Sequence, residues 1–182
     1  MLREGGVCHR NISPSNIRFY RTSCGRVIGV LNDYDLSSIQ TDCPRGNERI
    51  GTVPFMPIDL LSPSALESKV THVYRYDGES FVWVFVWVCL QYRDGKLRRK
   101  RRSLDQWLKV DALMCSMLKS HFLMMMRHVP KTRPSSSHWD NWVLAQALLD
   151  SVGLFYAMPV VAADDVVFQT WLKDPVESST TV

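Results

Sequence analysis

The chain has 182 residues, 46% of them hydrophobic and 22% charged, and a formal net charge of +4. That composition suits one globular domain with at most a short tail, and it excludes wholesale disorder. Six basic residues fall in one run, Lys96, Arg98, Arg99, Lys100, Arg101 and Arg102, and without them the net charge is −2. The basicity is therefore local, and a domain built as a whole to hold nucleic acid is not implied.

The five cysteines (Cys8, Cys24, Cys43, Cys89 and Cys115) are odd in number, and no pair is spaced C-x-x-C. Reduced thiols fit better than a zinc site or a disulfide framework, and an intracellular location, cytoplasmic or nuclear, is expected. The N-terminal residues Met1 to Gly6 carry no apolar stretch of signal-peptide length. The most apolar run, Phe81 to Leu90, is too short for a bilayer, which takes about 20 helical residues. It predicts a helix buried on all sides.

Taken in order, Gly5-Gly6 is a break, and Pro14-Ser15 argues for a loop after His9. Ile17 to Tyr20 and Arg26 to Leu31 read as two strands of a small hairpin, with Ser23-Cys24-Gly25 as its turn. Ser37 to Gly51 is polar and predicts a long exposed loop. Pro57 to Leu61 is a candidate helix start. The next helix begins at Tyr76-Asp77, with Asp77 as a possible cap, and runs to Leu90. Gln91 to Arg102 reads as a connecting loop, and Ser103 to Trp107 as a helix start.

Asp111 to Met126 has helical spacing, with Leu113, Met114, Met117, Leu118, Phe122 and Met125 as its apolar positions. The methionines Met114, Met117, Met124, Met125 and Met126 are expected in the core, an adaptable binding face being the other reading. Lys131 to Ser137 is a Pro/Ser-rich break. Trp139 to Tyr156 predicts a last helix, with Trp142, Leu144, Ala145, Leu148 and Leu149 inward. The expected organisation is one domain over residues 1–160 and a tail over 161–182, disordered from Asp174. The expected fold class is mainly α with a small β-hairpin.

Asn16 follows the His9 loop, and Asp33-Tyr34-Asp35 follows the second strand. An amide and a carboxylate a hairpin apart are oxygen donors of the kind Mg²⁺ shares with phosphate. Asn and Asp are also ordinary turn residues, so spacing alone leaves both readings open.

The motifs here, in order, are His9-Arg10-Asn11-Ile12-Ser13-Pro14-Ser15-Asn16, Asp33-Tyr34-Asp35, Gly51-Thr52-Val53-Pro54-Phe55-Met56, and His72-Val73-Tyr74-Arg75-Tyr76-Asp77-Gly78-Glu79-Ser80-Phe81. The first resembles the kinase catalytic loop H-R-D-x-x-x-x-N and the second the D-F-G segment. Their variants resemble the fungal-type protein kinase family over roughly residues 7–125. The resemblance implies ATP-dependent phosphoryl transfer to protein Ser or Thr on a kinase-like C-terminal lobe. It implies that Asn16 and Asp33 hold Mg²⁺ on ATP phosphates. It gives His9 and Arg10 a bracing role, Thr52 a place on the substrate side, and Asp59 an ion pair with a distant Arg. It has Asp77 hold the catalytic loop through backbone hydrogen bonds.

Two departures bear on activity, one at Asn11 and one upstream of His9. Asn11 stands where the family has its catalytic Asp, and a neutral amide cannot take the substrate proton. Asp35 replaces a glycine, as in the family. No G-x-G-x-x-G occurs in the chain, and eight residues precede His9. The expectation is therefore a C-lobe without its N-lobe, truncated and inactive, its binding of Mg and ATP in doubt. The alternatives are a non-catalytic module that binds another protein and a nuclear or RNA-binding protein working through Lys96 to Arg102. The latter run lacks the interleaved aromatics of a stacking surface. Ser37, Ser38, Thr41 and Thr52 are either modifiable or ordinary loop residues. No membrane association is expected.

Overall fold

The computed structural model describes residues 6–39, 51–66, 73–100, 102–128 and 132–157. The fold is mainly α with small antiparallel sheets. Strand β1 (Val7–Cys8) pairs with β4 (Ser38–Ile39), and β2 (Ile17–Arg21) pairs with β3 (Val27–Leu31) in the hairpin the sequence predicts. Four helices follow: α1 (Pro63–Leu66), α2 (Tyr74–Gln91), α3 (Ala112–His128) and α4 (Trp139–Ala157). Between α2 and α3, β5 (Tyr92–Arg93) and β6 (Lys96–Leu97) form a second hairpin. The expected tail, 161–182, and most of the 37–51 loop lie outside the described residues.

Helix α2 is the axis of the core. Val82, Trp83, Val86, Cys89 and Leu90 on it are each at most 1% exposed. Ile12, Phe55 and Leu61 pack on it from the N-terminal half, and Trp107, Cys115, Trp142 and Leu149 from the C-terminal half. Edge-to-face contacts join Trp83 to Trp107 and Trp107 to Phe122. The burial is not complete on all sides, since Phe81 is 38% exposed.

Several local expectations are corrected. Asp77 does not cap α2: the helix starts at Tyr74 after Val73, and Asp77 sits one turn in. Pro57 to Leu61 gives only a 3-10 turn, Asp59–Leu61, and Ser103 to Trp107 gives another, Asp105–Leu108. The basic segment after Gln91 is a hairpin because Asp94 and Gly95 both take positive φ, 52° and 72°, which closes a two-residue turn. Arg98 then returns to α2. Its N–H donates to the Gln91 carbonyl and its Nη1 to the Leu90 carbonyl, both at the helix end where acceptors are orphaned. Arg102 pairs with Asp105 at 2.8 Å.

The apolar side of α3 is also corrected. Its buried residues are Ala112, Cys115, Lys119, Leu123 and Met126, whereas Leu113, Met114, Met117, Met124 and Met125 are exposed. On α4, Trp142, Ala145 and Leu149 are inward as expected, but Leu144 is exposed and Val152 takes part in the core. Both helices are apolar on more than one side, so periodicity alone could not choose the inner one.

A lysine completes the core. Lys119 has no exposed surface; its Nζ donates to the Met56 carbonyl and lies 4.7 Å and 5.5 Å from the Trp83 and Trp107 ring centres. Burial holds its ammonium down to about 8, from an ordinary 10.5, against the pull of Cys115 and Glu79. The unfolded chain therefore binds a proton between these values that the folded chain lacks. The burial costs on the order of 3 kcal/mol below pH 8, and the cost fades toward pH 10.5. Burial raises Cys89 to about 11 and Tyr76 to about 12, which lowers stability above about pH 9 and hides the lysine in the total. The difference in urea stability between wild type and Lys119→Met isolates it. That difference is expected to move in favour of wild type as pH rises from 8 to 10.5, and a level difference would contradict a buried ammonium.

Candidate functional site

The first turn of α2 reaches the loop that precedes β2. Asp77 is 2% exposed, and its two carboxylate oxygens accept the backbone N–H groups of His9 at 2.5 Å and Arg10 at 2.8 Å. The chain bends sharply there, with Arg10 at φ 68°. A non-glycine residue takes that conformation only when its surroundings hold it. His9 is fully buried; its Nε2 contacts the Asn32 carbonyl at 2.9 Å, and its ring meets Tyr34 edge-on at 4.8 Å. One turn of α2 and one imidazole thus tie the loop to the residues after β3.

Asn11 lies where these elements meet. Its Nδ2 is 3.4 Å from Asp33 Oδ2, its Oδ1 accepts Thr52 Oγ1 at 3.4 Å, and its carbonyl accepts Asn16 Nδ2 at 2.8 Å. Asn32 N–H donates to the Asn16 carbonyl at 2.8 Å, which sets the register between the ends of the hairpin. Asp33 has φ 66°. Asp35, which stands at the glycine position of the motif, does not; the left-handed bend falls two residues earlier. Asn11, Asn16, Asp33 and Thr52 are therefore brought together, and His9, Arg10 and Asp77 form the support beneath them.

Gly51 begins the described part of the next segment at φ 134°. A Cβ there would stand 3.0 Å from Met56 Cγ and 3.3 Å from the Arg10 carbonyl, so glycine lets the segment pass against the loop. The segment ends at Asp59, whose carboxylate pairs with Arg75 at 2.8 Å. Arg75 also lies 4.1 Å over the Phe155 ring.

Glu79 and Lys119, to which sequence reasoning gave no role, hold this same segment. Glu79 Oε1 accepts Ile58 N–H and Trp83 Nε1–H, each at 2.9 Å, and Oε2 accepts Tyr156 Oη–H at 2.8 Å. Burial pushes the Glu79 carboxyl up from its ordinary range, opposed by these donors and by Lys119. The signal for Glu79 was present in the D-x-E spacing after Asp77. No comparable signal marked Lys119, which reads as an exposed residue between apolar ones.

The loop before β2, the carboxylate of Asp33 after β3 and the segment that begins at Gly51 converge on one side chain, that of Asn11. Residues 1–89 match the family model described as Fungal protein kinase, and over that stretch the chain is similar to that family. The match ends inside α2, whereas the sequence resemblance had extended to about residue 125. No curated protein matches the chain.

Asp77→Asn tests the support. One oxygen would remain for one N–H, and an amide NH₂ would face the other. The expected cost is about 2–4 kcal/mol in urea denaturation. Asp94→Asn, at an exposed hairpin tip, is expected to stay within about 0.5 kcal/mol of wild type. Equal effects would contradict the supporting role of Asp77.

Proposed function

We propose that this chain is a catalytically silent protein-kinase relative whose C-lobe-type site keeps its arrangement and lacks its base. The observation that carries this reading is Asn11, whose amide sits between Asp33 and Thr52. In phosphoryl transfer to a hydroxyl, an Asp at that point accepts the hydroxyl proton. The Asn amide is neutral and its nitrogen lone pair is delocalised into the carbonyl, so it is too weak a base to take the proton, and general-base help is worth roughly 10²–10⁴ in rate.

The donor set fits Mg²⁺ shared with phosphate rather than held by protein alone. Asn16 turns its Nδ2 to the Asn11 carbonyl, which leaves Oδ1 as an acceptor with Ser15 Oγ 3.3 Å away. Asp33 supplies one carboxylate, and among the described residues no group of three or more His, Cys, Asp or Glu could hold a metal ion. Asn16 and Asp33 are the residues that would hold Mg²⁺, whose chemistry is to neutralise ATP phosphates. Asp33 already faces an amide donor, so weak affinity follows.

The purified chain is expected to show no transfer from radiolabelled ATP to a generic protein substrate. Transfer that Asp33→Ala abolishes would overturn the proposal. Thermal unfolding with Mg-ATP is a second measurement. A ligand at 100 times its dissociation constant adds about 2.7 kcal/mol, and no shift is expected.

The exposed methionines of α3 favour a second reading, a module that binds another protein through an adaptable face. The nucleic-acid reading loses support, because Arg98 and Arg102 are engaged with α2 and Asp105. Among the described residues no helix is long and apolar enough to cross a membrane.

A further inference from the structure

Residues 56 to 59 are gripped from three helices at once. Lys119 on α3 donates to the Met56 carbonyl. Glu79 on α2 accepts Ile58 N–H at 2.9 Å. Tyr156 on α4 accepts Asp59 N–H at 3.3 Å and donates its own O–H to Glu79 Oε2 at 2.8 Å. These contacts take backbone groups, so they fix the path of the chain whatever its side chains are. Apolar packing of Phe55 and Met56 would bury the segment without fixing that path. Two buried ions are a costly way to hold a backbone, and here both are spent on one four-residue stretch that continues directly from Thr52.

We propose that Glu79, Lys119 and Tyr156 are positioning residues that seat residues 52–59 against the 9–16 loop, and that this segment is held and released as a unit. The groups around Lys119 are Glu79 and Trp83 from α2, Cys115 on its own helix, Trp107 from the 3-10 turn, and the Met56 carbonyl from the segment itself. Tyr156 acts directly on Asp59 N–H and also through Glu79. In the seated state the ammonium is shielded by two indoles. Once opened it is solvated, and the proton is held more firmly, so opening grows harder as pH rises past 8.

Pulsed hydrogen exchange of the full chain, read by mass spectrometry and corrected for intrinsic rates, tests this. In wild type the protection of residues 53–60 is expected to rise about fivefold to tenfold between pH 7.5 and 9. In Lys119→Met it should stay level over that range. At pH 7.5 Lys119→Met should also loosen 53–60 at least about fivefold more than it loosens 82–90, in the core of α2. A pH-independent wild type overturns the proposal, as does equal loosening of both regions, which is what a merely structural lysine would give. If Lys119→Met does not fold, Tyr156→Phe decides: protection should fall at Ile58 and Asp59 and hold at 82–90. Unchanged exchange at those two amides overturns the proposal.

Discussion

The structure turns on the carboxylate of Asp77. It leaves the first turn of the most buried helix and accepts two consecutive backbone N–H groups, those of His9 and Arg10. Hydrogen bonds to an ionised acceptor are about twice as strong as neutral ones, and these two are shielded from water. They hold Arg10 in a left-handed bend, which turns Asn11 toward Asp33 and Thr52. Without them the loop would have little reason to keep that bend, because a positive φ at a long side chain is itself unfavourable. The Asn11 side chain is thus placed from below, at α2, more than by its own contacts to Asp33 and Thr52, which are 3.4 Å each.

The same helix places a second carboxylate about half a turn further on. Asp77 and Glu79 are two residues apart, so they leave α2 in different directions, one to the loop at 9–10 and the other to Ile58. The two chain segments that frame the site are therefore referenced to one rigid rod. Lys119 and Tyr156 extend that reference to α3 and α4, and the Asp59–Arg75 pair closes it at the surface. Burial of Glu79 and Lys119 is unfavourable for each ion, which argues that their value is in placement rather than in stability.

What was legible in the sequence follows from what each signal encodes. The β2–β3 hairpin and the long helices were readable because strand alternation, turn residues and helical spacing are local. The gathering of Asn11, Asn16, Asp33 and Thr52 was readable only through ordered motifs, since their contacts span up to 41 residues. The inner face of α3 was misread because Met and Leu occur around much of the helix, and the buried position at its centre is a lysine. The first turn of α2 was misjudged for a related reason. An Asp near a helix start resembles a cap, but the N–H donors it meets come from 67 and 68 residues away. The 92–97 hairpin was hidden by charge, because a run of arginines reads as solvated loop until Arg98 is seen returning to the helix end.

Geometry and chemistry part company at Asn11. An Asp at that position would stand with its carboxylate near that of Asp33, where the Asn11 amide is now 3.4 Å away, and two like charges at such range repel unless a cation or a donor lies between them. The amide removes the repulsion and supplies a donor of its own. It can bridge Asp33 and Thr52 with no ion present, which a carboxylate could not do. Asn11 is therefore a neutral bridge between the carboxylate after β3 and the segment that begins at Gly51.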